Sequence, residues 1–243
     1  MARHFDIRKA VVPADGHELK LLILLPKGNR LPPEKTPGIL WIHGGGYAVG
    51  MAGMVFMSRA KRLVTAYGAV VVSPEYRLAG KAPYPAALED CYAALLYLKA
   101  HAEELGCAAD RIMVGGESAG GGLTAALCML ARDRGEVNIA FQMPLYPMLD
   151  DRDTDSSKDN HGILWNTRRN HAAWRLYLRE VEGEIPPYAS TGASDGLQQS
   201  AACIHVRGEQ GAVLLRNDDV YREPAQGWRS RPRGRISHRV PRV

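Results

Sequence analysis

The 243-residue chain has no apolar run long enough to cross a bilayer, and no charged, apolar, small-residue signal opens it. A cytoplasmic protein with no membrane span is expected. Cysteine is scarce: Cys91, Cys107, Cys128 and Cys203 show no metal-ligand spacing, and most fall in helix-like stretches. Buried free thiols are expected, not disulfides, and no metal or cofactor is called for. Lysine vanishes after Lys158, while six arginines crowd Arg229 to Arg242. The basic surplus is therefore local. Of a net +5, residues 191–243 supply +4, nine arginines against five acids, and residues 1–190 are nearly neutral. That tail has neither interleaved aromatics nor a helical stripe of cations, which argues against nucleic acid as a partner.

Hydrophobic residues make up 46% of the chain, enough to bury a full core in one α/β domain. Residues 7–12 and 19–25 read as strands around the turn Ala14-Asp15-Gly16. Residues 38–43, 69–74, 110–115 and 140–145 are short apolar or β-branched runs, the pattern of buried strands. Between them, 58–67, 85–105 and 119–134 read as helices, the last two closed by Gly106 and Gly135. Strands alternating with helices predict a mainly parallel sheet flanked by helices, with its chemistry in loops at the carboxyl ends of strands. Residues 150–160 read as an acidic solvated loop. The aromatic, helix-like stretch 163–181 could cover a site as part of a cap.

Two motifs carry chemistry. Gly116-Glu117-Ser118-Ala119-Gly120 matches G-x-S-x-G, in which a serine sits on a strained strand-to-helix turn. His43-Gly44-Gly45-Gly46 matches the glycine run that offers backbone N–H groups to an acyl oxyanion. A lone triple glycine is commonly a flexible loop, and G-x-S-x-G can arise by chance in a chain with 25 glycines. Here each follows a predicted strand and the serine opens a predicted helix, so the N–H of Ala119 and the positive helix end point at one spot. Gly116 and Gly120 should clear space beside the serine, and Gly121 and Gly122 should let the helix pack closely on the sheet. His43 is expected to hold the glycine loop in shape rather than act as a base. Asp90 and Asp150 are read as structural.

The runs HGGGYAVG, SPEYRLAGKAPYPAALED, GGESAGGGL and MPLYPMLDDR, within residues 5–190, together resemble the hormone-sensitive-lipase-like carboxylesterases of the α/β-hydrolase fold. The resemblance implies a Ser–His–Asp/Glu triad with Ser118 as nucleophile and an oxyanion hole from Gly45, Gly46 and Ala119, supported by Gly44. It also implies a small-molecule ester substrate. The chain starts almost directly with strands, so a thin cap and short acyl groups such as acetyl are expected.

The pattern breaks after Ser190. The family should continue with a strand, a carboxylate in a D/E-P-like turn, a helix, a further strand and a histidine in an F-H-G-like turn. None surrounds His205, His238, Asp195, Glu209, Asp218, Asp219 or Glu223, so the catalytic acid and histidine are unassigned. The expected organisation is an α/β-hydrolase core with a small cap over 1–190, then an arginine-rich, irregular tail over 191–243. The family's C-terminal strands are expected to be missing or disordered, leaving a sheet edge unpaired. An impaired esterase that at most binds acyl ligands is the alternative function. Permitted codons for residues 211–229, read one base later, yield EPFYCETMTYIENLRKAGV, an acid-proline turn before an amphipathic helix. Residues 195–208 yield TDYSNLPPAYTFVG and residues 236–242 yield YPTGFHG in the same frame. These matches point to a frame-shifted translation of an ordinary esterase ending. Sequencing the gene should show these displaced words in its bases; an intact frame with unrelated codons ends that reading.

Overall fold

The computed structural model describes residues 5–28, 31–155 and 157–193. Strands β1 (Phe5–Ala14) and β2 (His17–Pro26) pair along their whole length, Ala14 opposite His17. Asp15 (φ 38°) and Gly16 (φ 77°) both take positive φ in the two-residue loop, the twist that suits a tight hairpin. The chain continues through β3 (Pro37–Ile42), α1 (Arg59–Tyr67), β4 (Val70–Pro74), α2 (Ala86–Ala100), α3 (Ala102–Leu105), β5 (Ala108–Glu117), α4 (Ala119–Arg134), β6 (Phe141–Leu145) and α5 (Thr167–Tyr177). The sheet runs β1-β2-β4-β3-β5-β6, antiparallel across the hairpin and onto β4, and parallel from β4 to β6. The predicted strands are therefore present. The expected loss of the family's last strands falls on residues outside those described, as does Cys203.

Alternation along the strands divides the core. Leu40 and Ile42 of β3 face the cluster that contains Leu88, Leu95 and Leu98 of α2 and Leu123 and Leu127 of α4. Ile39 and Trp41 face the opposite cluster, with Val64 of α1 and Val55. Val70 and Val72 against Val71, and Ile112 and Val114 against Met113, repeat the division. Each fully buried Leu or Ile contributes about 1.5–3 kcal/mol, so this two-sided burial is what holds the sheet between its helices.

Local chemistry sets the helix ends. Ser58 caps α1, its hydroxyl accepting from the Ala60 N–H at 3.1 Å, and Gly68, Gly106 and Gly135 end α1, α3 and α4 in the left-handed conformation. The helix expected over 85–105 is in fact broken at His101. Its ring stacks on Tyr97 with centroids 4.1 Å apart and its Nδ1 donates to the Tyr97 carbonyl at 3.0 Å, while its own backbone is non-helical. The helix expected over 163–181 is confined to α5, because the Asn166 side chain caps it by accepting from Arg169 N–H at 3.0 Å. Cys91, Cys107 and Cys128 are buried.

One buried charge ties the hairpin to the helices. Asp90 on α2 is fully buried and accepts from the Arg77 backbone N–H at 2.8 Å, Nε at 3.1 Å and Nη2 at 2.9 Å. Arg77 Nη2 also reaches Asp15 in the hairpin loop at 3.0 Å, and His17 Nε2 lies 3.4 Å from Asp90 Oδ1. Asp90 is a structural carboxylate. Removing its partner strands a charge in the core, so Arg77→Met should lower unfolding free energy by about 3–5 kcal/mol in urea titration. An unchanged midpoint would deny the pair that role.

Candidate active site

Ser118 is the single residue between β5 and α4, with φ 56° and ψ −118°, a region that costs a non-glycine residue about 1–3 kcal/mol. Neighbours hold it there. Its N–H donates to Leu145 O at 2.9 Å, and its carbonyl accepts from Gly122 N–H and Met148 N–H, each at 3.0 Å. The end of β6 and the residues just after it therefore grip both backbone groups of the serine. The expected strained elbow is what the chain adopts.

The glycine loop lies against that elbow. A Cβ on Gly44 would sit 2.7 Å from Glu117 O and 3.3 Å from the Ser118 Cβ, so only a bare backbone can come this near. A Cβ on Gly120 would fall 2.2 Å from Ile42 O and 2.5 Å from His43 O, which shows how closely the end of β3 meets the start of α4. Gly45 has φ 122°, and its carbonyl accepts from Ala48 and Val49 N–H at 3.1 and 3.0 Å, closing the loop as a turn. Gly46 faces the indole of Trp165, whose Cη2 would be 2.5 Å from an added Cβ. Ala119 is fully buried at the first position of α4, where the helix end carries its partial positive charge. The structure thus brings Gly44 against Ser118, with Gly45 and Gly46 next in the same loop and Ala119 next to the serine in the chain. Gly121 packs closely on the sheet as expected: an added Cβ would meet Leu145 O, at the end of β6, at 3.1 Å and Pro147 at 2.9 Å. Gly122 lies instead against the segment after β6 and the glycine loop, where an added Cβ would meet Met148 O at 2.1 Å and the Tyr47 hydroxyl at 2.5 Å.

His43 is buried, its Nδ1 donates to Gly44 O at 2.8 Å, and its ring stacks on Tyr76 with centroids 4.1 Å apart. Burial lowers its pKa, with the Gly44 carbonyl and Glu75 opposing. A neutral ring bonded to its own loop matches a shaping role. Tyr76 and Tyr47 brace the same loop, and the sequence reading singled out neither. Tyr76 donates to His43 O at 3.0 Å; Tyr47 (φ 60°) donates to Met148 O at 3.1 Å and stacks on Tyr177 at 4.0 Å. Their signal was a tyrosine inside each quoted run, HGGGYAVG and SPEYRLAG. Asp150 accepts from Arg152 N–H, Nε and Nη2 at 3.1, 2.9 and 3.0 Å, as a structural residue would.

The remaining described histidines have partners other than Ser118. His17 lies by Asp90, His101 on Tyr97, His161 by Asp159, and His171 by Asp153. His205, His238, Asp195, Glu209, Asp218, Asp219 and Glu223 lie outside the described residues. Among the described residues no group of three His, Cys, Asp or Glu could hold a metal ion, and no helix is long and apolar enough to cross a membrane.

A strand-to-helix serine beside a glycine loop, on a sheet of this order, defines an α/β-hydrolase, and comparison with known proteins agrees. The family Abhydrolase_3, of the alpha/beta hydrolase fold, matches residues 39–229, and the chain belongs to that family. It is 36% identical over 171 residues to Esterase LipI of Mycobacterium tuberculosis, covering 67% of this chain and 53% of that one. Arylacetamide deacetylase of Rattus norvegicus is 32% identical over 162 residues, 64% of this chain and 40% of its own length. Among solved structures, a bacterial heroin esterase is 36% identical with a TM-score of 0.75, covering 83% of this chain and 65% of that one. The chain thus spans about half, or less, of the length of these curated relatives.

His43 makes the site sensitive to acid. Its pKa is lowered in the fold, so below about 6.5 the unfolded chain binds a proton that the folded chain refuses, and stability falls as pH drops through that window. His43→Gln keeps a donor but cannot titrate. Its urea midpoint should fall less between pH 7.5 and 5 than that of the wild type; equal slopes would show that His43 charges freely in the fold.

Proposed function

We propose that the chain is a serine carboxylesterase acting on small-molecule esters with short acyl groups, Ser118 being the nucleophile. The observation that carries this reading is the left-handed Ser118 backbone with Gly44 against its Cβ. The names of relatives support it: LipI is called an esterase and the solved relative a heroin esterase. Attack by the Ser118 oxygen on the ester carbonyl would place a full negative charge on the carbonyl oxygen. The N–H groups of Gly45, Gly46 and Ala119 are assigned to receive it, with Gly44 letting the loop close on the serine. Donors fixed in advance stabilise such an anion by about 3–4 kcal/mol each. The alcohol leaves, an acyl-Ser118 remains, and water releases the acid.

A serine hydroxyl at its ordinary pKa is a poor nucleophile and needs a base. Among the described histidines His43 is bonded to its own glycine loop and the others have partners other than Ser118, which supports assigning the base and its acid partner to no described residue. This same observation favours a second reading, an impaired esterase that binds acyl ligands without turning them over. We also propose the division into a 1–190 hydrolase core with a small cap and a 191–243 tail. A fluorophosphonate probe should label the wild-type chain and leave Ser118→Ala unlabelled, and a p-nitrophenyl acyl series should favour acetate and butyrate over longer chains. Absence of labelling in folded wild-type protein would leave the acyl-binding reading.

A further inference from the structure

Trp165 has no part in the mechanism above, yet its indole lies on the loop that carries the assigned donors. An added Cβ on Gly46 would stand 2.5 Å from Trp165 Cη2, 3.0 Å from Cζ3 and 3.4 Å from the Cβ of Ala173 on α5. A Cβ is about 2.5 Å from the backbone nitrogen of its own residue, so the indole edge lies within about 5 Å of the Gly46 nitrogen. An oxyanion accepting from that N–H would sit about 3 Å from the nitrogen, which leaves the indole no more than about 8 Å from it. A chain of several carbons reaches that far, whereas an acetyl methyl ends beside its own carbonyl.

The short loop that presents the indole is tied. Asn160 Oδ1 accepts from Gly162 N–H at 2.7 Å, and the Asn160 carbonyl accepts from Thr167 N–H at 3.0 Å. Arg169 Nη1 donates to the carbonyls of Ile163 and Leu164 at 2.7 and 2.5 Å. Of three successive apolar residues, Ile163 and Leu164 are 91% and 87% exposed, and Trp165 turns inward to pack against the core. Its Nε1 is buried without an acceptor among the described residues, an arrangement that costs stability. The ring is therefore seated by shape against Gly46, not by a hydrogen bond. We propose that Trp165 is a specificity-determining residue, a wall beside the oxyanion loop that stops the chain of a longer ester and so restricts the substrate to short esters. The role rests on the esterase reading and on Gly46 as a donor. An indole that merely packs on the loop would, once removed, weaken every ester alike.

The test compares wild type with Trp165→Ala, Trp165→Phe and Leu164→Ala in the full chain, each first shown to be folded by circular dichroism. It measures kcat/KM on p-nitrophenyl acetate, butyrate and octanoate, and on methyl, butyl and octyl acetate. The ratio of octanoate to acetate cancels any uniform loss from a loosened loop. Trp165→Ala should raise that ratio, or the matching ratio of octyl to methyl acetate, about tenfold or more. The series that responds tells which side of the ester the wall faces. Trp165→Phe, with a shorter ring, should give a smaller rise, and it carries the test if the alanine variant does not fold. Leu164→Ala should keep the wild-type ratios. Unchanged ratios in both series overturn the proposal, as does a rise in Leu164→Ala equal to that in Trp165→Ala. If wild-type protein hydrolyses nothing, the esterase reading fails instead, and calorimetric binding of 2-pentanone and 2-decanone decides the wall. Trp165→Ala should then tighten 2-decanone relative to 2-pentanone; an unchanged ratio overturns it.

Discussion

The left-handed backbone of Ser118 is the constraint around which the carboxyl ends of β3, β5 and β6 are arranged. The cost of such a residue, about 1–3 kcal/mol, is close to what the three backbone hydrogen bonds at Ser118 return at about 0.5–1.5 kcal/mol each. The elbow therefore depends on the partners of those three bonds. It persists because Leu145 and Met148 are already fixed by β6 and its packing, and because β3 brings the glycine loop in from the other side. Without a Cβ at Gly44 and Gly120, these backbones reach contact that any other residue would block.

Two buried polar centres divide the remaining work. Asp90, surrounded by Arg77 and His17, is a scaffold charge far along the chain from the serine; its contacts join the hairpin loop, the chain after β4 and α2. His43 is the opposite case, a neutral ring kept uncharged by burial, whose only assigned task is to shape the turn that carries the glycines. Charge belongs where several donors converge, and neutrality where a single carbonyl is on offer.

Much of this was legible in the sequence because burial on both faces leaves a plain record. The β3 run Gly38-Ile39-Leu40-Trp41-Ile42 and the β5 run Ile112-Met113-Val114 could hardly be anything else, and each ends in a motif. Helix limits were less legible. The apolar spacing over 85–105 is genuine, but a histidine bonding back onto Tyr97 interrupts it, and spacing does not report side-chain hydrogen bonds. Gly121 and Gly122 announced close packing on the sheet, but the contacts of Gly122 with Met148 and Tyr47 were not legible, since these come from distant chain segments. The segment 194–243, where composition changes, lies outside the described residues.

Tyr47 has a mechanical consequence. It stacks on Tyr177 and tilts against Trp174, while Tyr84 N–H donates to the Tyr177 carbonyl and Gly46 supports Trp165. The loop and α5 are thereby geared to each other through aromatic faces. A displacement of α5 must therefore drag Tyr47, and with it the turn bearing Gly45 and Gly46.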